Sequence, residues 1–369
     1  MAAVLTARPS VTALRFHKRG DIRLEQVEPQ KCGPGDVRVK VAYSGICGTD
    51  VTEYIGGPIF PPQEGHVHPH TGVSLPLVMG HEFSGTIAEV GSGVTHLRVG
   101  QSVVISPAYD HRHYETEFCE PCKNKQYNIC DASATIGLNA PGGGFCDETV
   151  VKARNCVPLP SNVSLKAAAL VEPLAIGRHS ITGSGFKPGQ SVLICGAGPI
   201  GLAILLILRV MGVSKVIVTE VLQSRMEQAR KFGADAVINP LQAGSQTLNA
   251  IHEVVEGGVD IAFDATGLQS TLDLSIASVK AGGVIFNVAI HKKALILNVN
   301  DLGLKEKRLL GGICYFQEDF DVVIGMLAEG KLDAEQMITS IVPLSNIVKG
   351  AFEELVHNRE AHIKILIKP

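Results

Sequence analysis

A chain of 369 residues exceeds what one hydrophobic core usually serves, and at about 150 residues per domain it implies two. With 33 basic and 36 acidic side chains, a net charge of −3 and no long run of one sign, it has no surface suited to nucleic acid or an anionic membrane, which points to small-molecule partners. The longest apolar run, Pro199 to Leu208, falls well short of the ~20 residues of a membrane span and is closed by Arg209.

Met1 to Val11 carries only Arg8 as a charge and has no leader-type apolar core, so it reads as a short disordered extension. Nine cysteines, an odd number, favour reduced thiols and metal ligands over a disulfide framework, as expected of a cytoplasmic protein. Leu14 to Val27 and Asp36 to Tyr43 alternate apolar and polar residues like antiparallel strands, with Lys31 to Gly35 as the turn between them. Ser44-Gly-Ile-Cys-Gly-Thr-Asp50 then breaks the alternation, and a loop rich in Gly, Pro and His runs from Gly56 to Pro76. A strand over Thr86 to Val90, a turn at Gly91 to Gly93 and a hairpin within Val94 to Ile105 complete what reads as a small β-barrel. Pro107 to Cys130 lacks apolar periodicity and is expected to be a surface excursion, before strand resumes over Phe145 to Val151. Ser164 to Leu170 reads as helix, and Val171-Glu-Pro-Leu174 interrupts the path into a second helix ending near Ile181.

Ser191-Val-Leu-Ile-Cys-Gly-Ala-Gly-Pro-Ile-Gly201 contains a buried-type strand, a G-x-G-x-x-G turn and the start of an apolar helix. Gly196, Gly198 and Gly201 supply the tight turn, the close backbone approach to a pyrophosphate and the close helix packing of a dinucleotide site. Pro199 and Ile200 open the helix, whose N-terminus offers oriented N–H donors. A second strand, Lys215 to Thr219, ends at Glu220, where a carboxylate can bind a ribose diol and repel a 2′-phosphate. That favours NAD over NADP, with Arg225 nearby as the residue that could reverse the preference. Helices over 224–232, 245–255 and 270–279 alternate with strands over 236–238, 259–264, 284–288 and 308–313, the pattern of a doubly wound parallel α/β sheet. The helical pattern of Phe320 to Glu329 and Leu344 to Glu354 and the strand Ile363 to Ile367 lie outside it. The expected division is a catalytic domain over 1–172, a dinucleotide-binding domain over 173–315, and a return to the first domain over 316–369.

Three residues that bind Zn²⁺ well stand at structurally odd places: Cys47 between glycines, His81 after a glycine and Glu172 before a proline. Each also has an ordinary reading as a buried thiol, a satisfied imidazole or a helix start. Three protein ligands would leave one tetrahedral position for substrate, as in a catalytic zinc site.

Taken together, Gly45-Ile-Cys-Gly-Thr-Asp50, Gly80-His-Glu82, Val171-Glu-Pro-Leu174 and Gly196-Ala-Gly-Pro-Ile-Gly201 resemble the zinc-dependent medium-chain alcohol and polyol dehydrogenases, in family order over nearly the whole chain. The resemblance implies a GroES-like β-barrel catalytic domain with a Rossmann domain, and dimers or tetramers. It also implies Cys47, His81 and Glu172 as ligands of a catalytic zinc, Glu82 just outside them, and Thr49 beside the substrate oxygen. Glu at the third position, with Gly57-Pro-Ile-Phe60 and the His70 to Pro76 stretch, looks like the butanediol and sorbitol branch. That implies a vicinal diol substrate such as 2,3-butanediol, with a sugar alcohol as the alternative and a non-catalytic cofactor-binding protein as the reading from another class.

The chain departs from the family pattern twice. Thr52 stands where the family has a proton-relaying histidine. In the family's structural-zinc lobe of four cysteines only Cys119, Cys122 and Cys130 remain, with Thr116 at the first position. A fourth ligand would have to come from Asp110 to Glu117, with His113 or Asp110 preferred.

Overall fold

A computed structural model describes residues 10–369, so the expected extension lies, as far as residue 9, outside the described residues. The chain divides into two compact units, one running to Glu172 and resuming over Ala334–Pro369, the other Pro173–Asp333. No helix among the described residues is long and apolar enough to cross a membrane.

In the first unit, the segment expected as one strand before Val27 is a hairpin of Val11–Lys18 and Asp21–Val27. The following strand, Asp36–Gly45, does not pair with it across the Lys31 to Gly35 turn. Instead it pairs with Glu82–Val90, Glu148–Lys152 and Lys364–Lys368 in a seven-stranded sheet. Val37, Val39 and Val41 pack with Phe83, Ile87, Val103 and Ile105 in one core, while Leu14, Phe16, Phe145, Phe352, Ile365 and Ile367 form another. At about 25 cal/mol per Å² of apolar area removed from water, burial of these side chains is what holds the strands of the first unit together.

The stretch expected as a loop after Ser44 turns into a helix, Gly48–Gly56, with Cys47 at its N-cap. Asp50 in the first turn accepts the Cys47 N–H at 2.9 Å, which satisfies a donor that would otherwise be orphaned. One turn on, the fully buried Glu53 accepts the N–H groups of Ile59 and Phe60 at 2.8 and 3.0 Å and so ties down the start of the Gly56 to Pro76 loop. Burial raises the Glu53 pKa above the ordinary carboxyl value, although the two N–H donors oppose it. Farther along, the expected helix from Leu344 to Glu354 is broken into a 3₁₀ turn Leu344–Asn346, a π-helix Val348–Glu353 and an α-helical turn Glu354–His357. Phe352 on the π turn is fully buried and meets Tyr54 and Phe145 edge-on.

The second unit is a six-stranded parallel sheet in the order Ala236–Ile238, Lys215–Thr219, Ser191–Cys195, Val259–Asp264, Val279–Asn287, Arg308–Gly311. This is the doubly wound order, with Ser191–Cys195 buried along its whole length. The return to the first unit comes at Ala334, later than the expected 316. The helix Gln317–Ala328 stays with the second unit because its Asp319 accepts from His179 at 3.0 Å and its Phe320 packs on Tyr315.

Replacing Glu53 by alanine removes the acceptor of two backbone donors. The expected cost is about 1–3 kcal/mol in denaturant unfolding, from the desolvation left unmatched. Hydrogen exchange should accelerate at the Ile59 and Phe60 amides, and unchanged exchange there would contradict the anchoring role.

Candidate active site

Cys47, His81 and Glu82 are brought together by the N-terminus of the Gly48–Gly56 helix and the start of the Glu82–Val90 strand. One ligand atom of each, the Cys47 thiol, a His81 ring nitrogen and a Glu82 oxygen, lie within 4.8 Å of one another. His81 and Glu82 are buried, and Cys47 is half-buried. Asp50 Oδ1 sits 3.5 Å from His81 Nδ1, and neither atom has a hydrogen-bond partner among the described residues. Burial disfavours a charged His81. The Asp50 carboxylate and the Cys47 thiol beside it outweigh that and hold its pKa well above the usual imidazole value. A carboxylate behind a histidine orients and polarises it as a metal ligand. Thr49 Oγ1 lies 3.6 Å from Cys47 Sγ.

Glu172, at the start of the Val171–Gly183 helix, is buried but stands outside the 4.8 Å group. Its charge is felt at Lys364, a buried lysine of the C-terminal strand that the sequence pattern did not single out. Lys364 Nζ donates to both Glu82 oxygens, at 2.8 and 2.6 Å, and to the Ile46 carbonyl at 3.1 Å. Asp50 is not among the expected site residues, although an acidic residue three places after a helix N-cap is a legible capping signal. Lys364 has no comparable local signal, because the strand Lys364–Lys368 acquires its neighbours only on folding.

A second cluster occupies the Pro107 to Cys130 excursion. Cys119, Cys122 and Cys130 converge with His111, all four ligand atoms within 4.8 Å of one another. His111 Nδ1 is 2.8 Å from Cys130 Sγ and 3.8 Å from Cys122 Sγ. The fourth member is therefore His111, not the expected His113 or Asp110, and each of those is committed elsewhere. Asp110 receives Arg112 through both carboxylate oxygens, at 2.9 and 2.7 Å, and caps the turn His111–His113. His113 stacks on Tyr109 and bonds Asn155 Oδ1 at 3.2 Å. The 3₁₀ turn sends successive side chains in different directions, and only His111 faces the thiols. Thr116 is exposed.

In the second unit, the strand Ser191–Cys195 runs through the glycine turn into the helix Pro199–Val210, with Pro199 and Ile200 in its first turn. A Cβ on Gly201 would collide with the Gly196 carbonyl, so helix and turn approach as closely as a dinucleotide phosphate site requires. Glu220 Oε1 accepts the Val221 and Leu222 N–H groups at 2.6 and 3.0 Å, and Oε2 accepts the Ala197 N–H at 2.9 Å. With roughly four acceptor positions on a carboxylate, these three donors leave one on Oε2 among the described residues. The Arg225 guanidinium lies near Gly198, at 3.8 Å from where its Cβ would stand.

Residues 33–161 match the alcohol dehydrogenase GroES-like domain, and residues 199–329 match the zinc-binding dehydrogenase domain. The chain is 37% identical to (R,R)-butanediol dehydrogenase of Neisseria gonorrhoeae, over 97% of this chain and 99% of the relative. It is 35% identical to the (R,R)-butanediol dehydrogenase of Saccharomyces cerevisiae, over 97% and 98%. The crystal structure of 2R,3R-butanediol dehydrogenase from Bacillus subtilis superposes with a TM-score of 0.90 at 34% identity, covering 98% of this chain and 100% of that one. More distant structures include an alcohol dehydrogenase from Escherichia coli CFT073 complexed with NADH, with 27% identity, TM-score 0.86 and coverage of 98% and 100%. Another is a zinc-binding dehydrogenase from Sinorhizobium meliloti bound to NADP, with 26% identity, TM-score 0.85 and the same coverage. With a thiol, an imidazole and carboxylates gathered in a GroES-like half and a glycine-rich dinucleotide turn in the other, this chain belongs to the zinc-binding alcohol dehydrogenase family.

Proposed function

We propose that the protein is an NAD-dependent, zinc-dependent oxidoreductase that interconverts a short vicinal diol and its hydroxyketone, of the 2,3-butanediol and acetoin type. The observation that carries this is the convergence of Cys47 and His81 in a chain that matches butanediol dehydrogenases from end to end. Cys47, His81 and Glu172 would hold the catalytic zinc. Glu82 is nearer, but its oxygens are engaged by Lys364. When bound, zinc supplies Lewis acidity that lowers the pKa of the substrate hydroxyl. NAD, when bound, supplies the hydride acceptor. Asp50 fixes the His81 ring from behind, as outer carboxylates do for ligating histidines. Thr49 is the hydroxyl that relays the alcohol's proton, accepting it as it hands its own O–H proton on to the next hydroxyl or water. Thr52 has no group that titrates near neutrality, so that proton leaves along hydroxyls and water. A site that hydrogen-bonds both oxygens of a vicinal diol disfavours mono-alcohols, because it would leave a buried polar group unpaired. Glu220, with one acceptor position left, suits an unphosphorylated ribose.

His111, Cys119, Cys122 and Cys130 form a donor set for a structural zinc that ties down the excursion. A homodimer is the favoured assembly. The sheet edge Arg308–Gly311 is exposed along its length and presents Leu309 and Leu310, the kind of edge that invites pairing with another chain. Sedimentation that gives only monomer would oppose this.

Metal analysis of the purified protein is expected to give about two zinc ions per chain, in line with one open and one closed site. His111→Ala and Cys47→Ala should each retain one. Cys47→Ala should abolish turnover while leaving NAD binding intact, because the glycine turn and Glu220 belong to the other unit. Full activity in a metal-stripped sample would overturn the mechanism.

In a panel of diols, sugar alcohols and mono-alcohols, butanediol or acetoin should give the highest kcat/KM with NAD. A pentitol or bulky mono-alcohol ahead by about tenfold, roughly 1.4 kcal/mol of transition-state preference, would overturn the substrate assignment. A larger kcat/KM with NADP would shift the cofactor reading from Glu220 to Arg225.

A further inference from the structure

We propose that Lys364 is a positioning residue that holds Glu82 out of the metal's coordination sphere and thereby keeps one coordination position open for substrate. The inference rests on the metal reading above. Three observations carry it. First, Glu82 is a potential ligand by position, since one of its oxygens lies within 4.8 Å of the Cys47 thiol and of a His81 ring nitrogen. Second, both oxygens of the Glu82 carboxylate are already engaged by Lys364. Lys364 Nζ meets both of its oxygens and uses its remaining proton on the Ile46 carbonyl, so all three ammonium donors are satisfied with the pair only 2% and 1% exposed. Third, the backbone is shaped to receive the carboxylate where Lys364 holds it. A Cβ on Gly45 would overlap Glu82 Oε2, so only glycine leaves that space.

Charge bookkeeping says what the clamp does. A divalent ion with a thiolate and one carboxylate is formally neutral, and a second carboxylate beside it is a buried charge that must be paired. Lys364 is the partner that the C-terminal strand brings to it. Without that ammonium, the strongest remaining cation within reach of Glu82 is the metal, and a further protein ligand would convert an open site into a closed one.

The test compares wild type, Lys364→Met, Lys364→Arg and the double variant Lys364→Met with Glu82→Gln, each loaded with Co²⁺. The visible spectrum of each, minus that of its Cys47→Ser counterpart, isolates this site from the cysteine cluster. Lys364→Met is expected to alter the difference spectrum and to slow cobalt release to a chelator by about tenfold or more, the scale on which outer partners act on bound metals. The double variant and Lys364→Arg should restore the wild-type spectrum and release rate. A merely structural lysine would give faster release in Lys364→Met with no recovery in the double variant, and an unchanged spectrum and rate in Lys364→Met would equally overturn the proposal. If Lys364→Met does not fold, Lys364→Gln, which keeps a donor for Ile46 and drops the charge, gives the same comparison. A wild-type protein whose spectrum is indistinguishable from that of Cys47→Ser would instead show that the metal reading itself is wrong.

Discussion

The strand Asp36–Gly45 is the constraint on which the first unit depends. It is hydrogen-bonded to Glu82–Val90, Glu148–Lys152 and Lys364–Lys368, segments that are far apart in the chain. Its inward valines anchor the core, and its end delivers Gly45, Ile46 and Cys47 to one place. The pairing of Gly45 with Glu82 sets His81 and Glu82 opposite Cys47, and the pairing with Leu366 sets Lys364 behind them. The Ile46 N–H donates to the Ile365 carbonyl while Lys364 donates to the Ile46 carbonyl, so main chain and side chain close the same corner. A slip of one residue along any of these ladders would turn the site's side chains to the opposite face.

Electrostatics explains why so many charged groups can be buried at that corner. Asp50, His81, Glu82 and Lys364 are each less than a twentieth exposed, a condition that isolated charges could not tolerate. Asp50 is matched by the Cys47 N–H and by His81, and Glu82 by Lys364. Among the described residues, His81 Nδ1 and Asp50 Oδ1 have no hydrogen-bond partner and are held 3.5 Å apart. The Cys47 thiol, a His81 ring nitrogen and a Glu82 oxygen lie within 4.8 Å of one another at the same corner.

The cysteine lobe applies the same logic with different donors. The family position occupied by Thr116 has no ligand, and His111 reaches the three thiols from a short turn upstream. Its neighbours Asp110 and His113 form the frame around it: Asp110 as the cap and partner of Arg112, His113 as the ring stacked on Tyr109. The absence of a thiol at position 116 thus leaves a four-donor cluster, because a capped turn upstream places His111 among the three cysteines.

The sequence by itself determined whatever depends on local pattern. The glycine turn after an apolar strand, the alternation that follows it, the acidic end of Lys215–Thr219 and the odd placement of Cys47 and His81 are legible because each is written within a few residues, whereas Glu172, expected beside them, stands outside their 4.8 Å group. The helix at Gly48–Gly56 is not expected from the sequence although its Asp50 cap is written there, because two glycines near Cys47 argue for a loop until the cap is paired. Tertiary structure alone decided the rest. That Lys364 lies against Glu82, 282 positions away in the chain, follows from strand pairing that no local signal encodes. That His111 rather than His113 faces the thiols follows from the rotation of a single 3₁₀ turn. That the helix Gln317–Ala328 belongs to the second unit follows from the His179 and Asp319 contact. Periodicity reports which face of an element is apolar, but it carries no information about which distant element will cover that face.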